Sequence, residues 1–205
     1  MQLEAAIRLD LLFETISGII ALVVTIYASR AYRLTGQKRL SDLSTGFLVL
    51  SAGMFGRVVG TWYFFVRWGG EGSIPPQLGT VFLVVTIAYG ASRIMAYAIF
   101  VIALRPSKRV DIQEASVMLA LPVLVDPTLE MVAILVLIIV VLQAFINYTT
   151  HRSRFALYVL AGFFLLLLSH LMLAQSMLNS GMYLLSQIAQ LLGFVSFLVL
   201  LKKTG

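Results

Sequence analysis

Six long apolar runs dominate the chain and leave it few folds to adopt. They cover roughly Leu11–Ala31, Leu43–Val66, Leu78–Leu104, Thr128–Ile146, Phe155–Met177 and Tyr183–Leu201. Each is close to the ~20 helical residues needed to cross ~30 Å of hydrocarbon. Backbone N–H and C=O groups have no water partner in lipid, so a run of this length satisfies them internally as a helix. The alternating pattern of a membrane barrel strand is absent. Hydrophobic residues make up 60% of the 205-residue chain and charged residues 12%. A soluble domain carries about twice that charge. The expected fold is an all-α integral membrane protein forming one polytopic domain.

The basic residues are not spread evenly. Eleven of the fifteen Lys and Arg side chains fall in four short stretches between apolar runs: Arg30, Arg33, Lys38 and Arg39; Arg105, Lys108 and Arg109; Arg152 and Arg154; Lys202 and Lys203. Basic turns gather on the cytoplasmic side of a membrane protein. The formal charge of +6 therefore reads as topology and not as a nucleic-acid footprint. Glu4, Arg8 and Asp10 precede the first run. They are unlike the basic start of a cleaved signal peptide, so the first span is expected to be retained.

A seventh segment, Ala115–Val125, is short and contains Pro122. Sidedness decides how to read it. If it crosses, Lys and Arg divide eleven inside to two outside, with Arg57 and Arg93 within the membrane; if it does not, they divide seven to six. The first division obeys the positive-inside rule. The prediction is seven transmembrane helices, N-terminus outside and C-terminus cytoplasmic, in a plasma membrane. Six helices are the fallback. Asp126-Pro127 would open the next span as N-cap and first helical residue.

Shifting the chain by 116 residues superimposes the first spans on later ones: Glu14 meets Glu130, Val24 meets Val140, Ala28 meets Ala144, Tyr32 meets Tyr148, Gly46-Phe47 meets Gly162-Phe163, and Leu50 meets Leu166. In the third helix the offset falls to 97, where Arg93 meets Gln190, Phe100 meets Phe197 and Leu104-Arg105 meets Leu201-Lys202. The 19-residue surplus falls at Trp62–Pro76. The expected organisation is repeat one at about 9–106, a linker helix at about 110–126 and repeat two at about 127–203. With seven spans both triple-helix units point the same way, about an axis along the membrane normal. This three-plus-one-plus-three plan resembles that of the SWEET and PQ-loop transporters. Their motif is not reproduced, because the Pro76-Gln77 pair precedes the third helix instead of lying within the first helix of each repeat. No functional residue is carried over.

Charges inside a membrane cost several kcal/mol, and each needs a reason. Arg93 lies mid-span on a stripe with Thr86, Gly90 and Tyr97, at spacings of one helical turn. Arg57 lies in the outer half of the second span. Glu14 heads a stripe of Ser17, Gly18, Ala21, Thr25 and Ala28, and a Glu14–Arg57 or Glu14–Arg93 pair would offset part of the cost. The second half supplies Glu130, His170, Gln190 and Gln187. These seven residues are the candidates for a polar cavity that takes a small polar or anionic solute. The alternative is that they pin the helices together. Gly56 and Gly60 form a GxxxG, expected to pack within the bundle. Trp62, Tyr63, Phe64, Phe65 and Trp68 read as an interfacial belt. Gly69-Gly70-Glu71-Gly72 follows no strand and implies no phosphate-binding loop. His151 reads as a solvated turn residue.

Two histidines, no cysteine and no clustered carboxylates on one helix point away from an enzyme, from metal ligation and from a bound cofactor. Seven spans in this orientation resemble microbial rhodopsins. All four lysines, however, lie in loops or at the last helix end, so none sits mid-span for a Schiff base. The functional expectation is a small-solute or ion permease. The alternative is a non-enzymatic receptor or sensor module, or a subunit of a larger membrane complex, in contact with another membrane protein or a second copy of itself.

Overall fold

The computed structural model describes residues 2–68, 76–105, 127–176 and 180–204. Within them the chain forms six helices: α1 Gln2–Thr35, α2 Lys38–Trp68, α3 Pro76–Leu104, α4 Pro127–His151, α5 Arg154–Gln175 and α6 Ser180–Thr204. There is no strand among the described residues. All six helices are long and apolar enough to cross a membrane. Five of the six apolar runs fall inside one helix each, and the fifth, Phe155–Met177, passes the end of α5 at Gln175; polar ends extend several of the helices. The expected linker helix at 110–126 lies outside the described residues, as do Asp126 and residues 69–75 of the Trp62–Pro76 surplus. Pro127 is the first residue of α4, where its missing N–H costs nothing.

The two short turns of the fold are built alike. Gly36, at φ 68°, closes α1 by donating its N–H to Tyr32 O at 2.7 Å. Arg152, at φ 45°, closes α4 by donating its N–H to Tyr148 O at 2.7 Å. A left-handed residue just past the last turn satisfies an otherwise orphaned carbonyl. The paired positions are 116 residues apart. Ser153 then starts α5, its hydroxyl accepting from Ala156 N at 3.1 Å.

Each helix packs against the next, and α6 packs against α1, so the six close into a ring. Hydroxyls tie neighbours together by donating to backbone carbonyls: Ser44 to Thr25 O, Ser51 to Gly18 O and Ser196 to Tyr158 O, at 2.9–3.0 Å. On α2 the face against α3 is made by glycines seven residues apart. A Cβ on Gly46 would run into the Phe100 ring, one on Gly53 into Ser92, and one on Gly60 into Val85. Gly56 has nothing within 4 Å. Only one glycine of the GxxxG pair therefore takes part in packing, and it works with Gly46 and Gly53.

Four phenylalanines fill the middle of the ring. Phe47, Phe100, Phe163 and Phe197 form a closed circuit with centroids 4.8, 5.0, 4.9 and 4.9 Å apart. All four are buried. Tilted and edge-on ring pairs are each worth about 0.5–1.5 kcal/mol beyond area burial. The Phe197 ring occupies the space beside Gly162 as the Phe100 ring does beside Gly46. Val24 and Val140, Ala28 and Ala144, and Leu50 and Leu166 are likewise buried pairwise.

Helix directions follow from the contacts. α2 runs antiparallel to α1 and α3, and α5 antiparallel to α4 and α6. α3 and α4 run parallel: Gly90 in the middle of α3 abuts Leu129 near the start of α4, and Asn147 Nδ2 donates to Leu104 O near the ends of both at 2.8 Å. Those two contacts are fourteen residues apart on α3, about 21 Å of helix. The basic turns at Gly36 and Arg152 consequently share one end of the bundle.

Candidate functional site

All seven candidate residues meet in the half of the bundle away from the basic turns. α1 brings Glu14 there because its small-residue stripe, Ser17, Ala21 and Ala28, is fully buried and fixes which face turns inward. The Gly46/Gly53/Gly60 face seats α2 closely on α3 and places Arg57 beside Glu14. Arg57 donates from Nη1 to Glu14 Oε2 and from Nη2 to Asp10 Oδ2, the latter at 2.7 Å. Tyr89 on α3 donates its hydroxyl to Glu14 Oε1 at 2.5 Å. Of the two partners open to Glu14 in the sequence, Arg57 is the one that pairs with it and Arg93 is not, and Asp10 and Tyr89 join the pair.

Arg93 belongs to a second cluster. Its Nη1 lies 3.4 Å from Glu130 Oε2 on α4. Its Nη2 approaches the two ring nitrogens of His170 on α5 at 2.5 and 2.7 Å. His170 Nδ1 meets Glu130 Oε1 at 2.6 Å, and Nε2 meets the Tyr97 hydroxyl at 2.7 Å. A carboxylate only accepts, so the tautomer that serves these partners carries its proton on Nδ1 and accepts at Nε2. His170 is 1% exposed and Arg93 7%. Tyr89 joins the two clusters: both guanidinium carbons lie 5.1 Å from the centroid of its ring. Such contacts offset part of the cost of desolvating a guanidinium.

Between the clusters and α6 lies a cavity of about 230 Å³. Arg57, Arg93 and Glu130 reach its wall, Leu129, Ala133 and Leu173 give it an apolar side, and Tyr183, Gln187 and Gln190 line it from α6. Gln187 is 4% exposed and Gln190 7%. Gln187 Nε2 donates to Asp10 Oδ1 at 3.1 Å. Its Oε1 has no partner among the described residues, and neither does Gln190 Nε2. A buried amide group left unpaired costs about 1–3 kcal/mol.

Asp10, Tyr89 and Tyr183 were not singled out by the sequence. Each stands four residues before a candidate, Glu14, Arg93 and Gln187 respectively, and so on the same helix face. That spacing was the signal available. Thr86 and Gly90, already on the Arg93 stripe, also line the cavity. His151 ends α4 and is exposed. Of the aromatic belt, Trp62 and Tyr63 are exposed; the side chains of Phe64, Phe65 and Trp68 lie outside the described residues. Among the described residues no three His, Cys, Asp or Glu side chains gather to hold a metal ion.

Large apolar side chains such as Leu12, Val59, Leu135 and Phe164 cover the outside of the ring, while Glu14, Arg57, Arg93 and Glu130, the charges within its spans, are paired inside it. That inversion, on six helices of spanning length, defines a multi-spanning membrane protein. No family model, curated protein or solved structure matches the chain.

Proposed function

We propose that the protein is a non-enzymatic permease for a small polar solute, with the cavity of α3, α4 and α6 as its binding site. The observation that carries this reading is the cavity of about 230 Å³ within a ring of spanning helices, walled by Arg57, Arg93, Glu130, Gln187 and Gln190. Groups whose only role is to pin helices together spend their hydrogen bonds on protein partners. Here two guanidiniums, a carboxylate and two amides also border a cavity.

In the same reading the chain crosses a plasma membrane seven times, N-terminus outside and C-terminus cytoplasmic. The parallel course of α3 and α4 supports this, since residues 105–126 have to return the chain from one end of the bundle to the other. As a helix, that 22-residue stretch would reach about 33 Å. The basic turns sharing one end support the orientation. Duplication of a triple-helix unit is supported by the matched caps at Gly36 and Arg152 and the matched ring contacts at Gly46 and Gly162. Equivalent positions also line the cavity together: Arg93 with Gln190, Gly90 with Gln187, and Thr86 with Tyr183. A site on the axis between two like-oriented units is common to repeat-built transporters.

The test is flux. Purified protein in liposomes should admit small amines, amino acids or polyols faster than protein-free liposomes, and Arg93→Ala and Gln190→Leu should remove the difference while keeping the fold. If no solute enters faster than through bare lipid, the permease reading is wrong. One observation favours a second reading, that of a sensor module: the phenylalanine circuit closes the ring between the cavity and the basic turns. Binding in the cavity without flux would select it.

A further inference from the structure

The basic end of the bundle holds a second hollow, away from the proposed solute site. The α1–α2 turn carries Arg30, Arg33, Lys38 and Arg39, the α4–α5 turn carries Arg152 and Arg154, and Arg105 follows α3. Asp42 is the only carboxylate among the described residues of that half. The salt bridges among the described residues belong to Arg57, Arg93 and His170, and none engages a cation of the basic end.

A cleft of about 200 Å³ opens among these cations, where the starts of α2 and α5 meet the ends of α3 and α4. Its rim is polar: Gln37, Arg39, Asn147, His151 and Ser153. Its floor is apolar and buried: Leu43, Ala103, Ala144, Ala156 and Val159. The alanines come from α3, α4 and α5, and their short side chains leave the space open. Two rim side chains are held in place by the end of α3. Arg39 donates from Nη2 to Arg105 O at 2.9 Å, and Asn147 from Nδ2 to Leu104 O at 2.8 Å. The Arg39 bond uses one of the five N–H donors of a guanidinium and leaves its charge unpaired. A more open hollow of about 590 Å³ shares Gln37, Arg39, Asn147 and His151 with the cleft and adds Lys38, Thr150 and Ile146. Ile146 is exposed. The depression thus runs from a buried apolar floor, past cationic side chains, to an apolar side chain on the outside.

Free phosphate would use the rim and leave the floor bare. A neutral lipid would use the floor and leave the cations unpaired. A molecule anionic at one end and apolar at the other uses both. Basic pockets between membrane helices suit anionic headgroups, and a guanidinium makes forked, charge-assisted bonds to phosphate. At about 30 Å³ per water-sized volume, a cleft of about 200 Å³ takes a phosphate and the glycerol carbons next to it.

We propose that this cleft is a site for an anionic phospholipid of the leaflet that faces the basic turns, its phosphate accepting from Arg39 and its first apolar carbons lying on the alanine floor. Held there, the lipid bridges α2 and α3 to α4 and α5. The proposal does not depend on what the outer cavity carries.

Native mass spectrometry of the delipidated full chain in detergent tests this with three probes: dioleoylphosphatidylglycerol, dioleoylphosphatidylcholine and inorganic phosphate. Phosphatidylglycerol should be retained about tenfold more tightly than phosphatidylcholine, and inorganic phosphate should not displace it. Arg39→Gln should weaken phosphatidylglycerol about tenfold. Arg33→Gln removes the same charge from the same end without touching the cleft lining and should leave retention unchanged. His151→Arg, which adds a fixed charge to the rim, should tighten retention about tenfold. That gain cannot arise from a variant that fails to fold. Equal retention of the two lipids overturns the proposal. Equal losses in Arg33→Gln and Arg39→Gln overturn it as well, since the attraction would then belong to the whole basic end. Displacement by inorganic phosphate would make the cleft a free-anion site with no use for its floor. Retention of no probe also overturns the proposal and leaves the cleft to another part of the chain.

Discussion

Gln187 on α6 donates from Nε2 to Asp10 Oδ1 on α1 at 3.1 Å, joining residues 177 positions apart. Through this bond the last helix closes onto the first, and the Asp10–Arg57–Glu14 cluster is tied to a residue of the cavity wall. Polar contacts in the same half of the bundle link each of the other helices to the set.

Arg93 and Glu130 separate stability from function. Arg93→Ala leaves Glu130 and His170 enclosed without the guanidinium, and breaking a buried pair from one side costs about 3–5 kcal/mol. Arg93→Lys should not restore it, because one ammonium does not reproduce the forked contacts to Glu130 and His170. The double variant Arg93→Met/Glu130→Met should unfold in a denaturant titration at least as late as Arg93→Ala does, and should still carry no solute. Full flux in the double variant would reduce the pair to a helix pin.

The two left-handed caps make opposite predictions. An L side chain in that conformation costs about 1–2 kcal/mol. Arg152→Gly should therefore stabilise the protein by about 1 kcal/mol, and Gly36→Ala should destabilise it by a similar amount. Thermal unfolding in detergent reads both. Equal shifts of one sign would show that the α1–α2 and α4–α5 turns are not capped alike.

Glycines on α2 should differ by position. Gly46→Ala and Gly53→Ala push into Phe100 and Ser92, and overpacking of this kind costs about 1–3 kcal/mol. Gly162→Ala should do the same against Phe197, whose ring atoms come within 2.5 Å of the added carbon. Gly56→Ala meets nothing within 4 Å and should be neutral or slightly stabilising. A large loss at Gly56 would point to a partner on that face.

The chain contains no cysteine, which makes labelling of single introduced cysteines direct. Gln37 and Arg152 are exposed at one end of the bundle, and Trp62 and Gln175 are exposed towards the other. In intact cells a membrane-impermeant maleimide should label Trp62→Cys and Gln175→Cys, and should reach Gln37→Cys and Arg152→Cys only after permeabilisation. If Gln37→Cys and Arg152→Cys fall on opposite sides, the two halves are not oriented alike and the seven-span reading fails.

Much was legible in the residue order. The apolar runs gave the six helices, because the length of an uninterrupted run decides whether a helix can be solvated by lipid. The matching of Tyr32 with Tyr148 and Gly46-Phe47 with Gly162-Phe163 anticipated paired caps and paired ring contacts. Arg57, Arg93, Glu14 and Glu130 stood out because a charge in an apolar run is expensive wherever the helix is placed. Asp10 did not stand out, because it precedes the run and an acid at a helix start is ordinary. Tyr89 and Tyr183 resembled any other aromatic residue in a membrane helix.

Sequence by itself determined that the chain forms long membrane helices, which face of α1 turns inward, and which charges need partners, since these follow from local composition and helical period. Partner choice was decided only by the tertiary structure. Arg57 takes both Asp10 and Glu14, Arg93 takes Glu130 and His170 from other helices, and Gln187 spends one end of its amide on Asp10. Those contacts depend on how six helices are arranged around the phenylalanine circuit, and that arrangement is set by side chains brought together from distant parts of the chain.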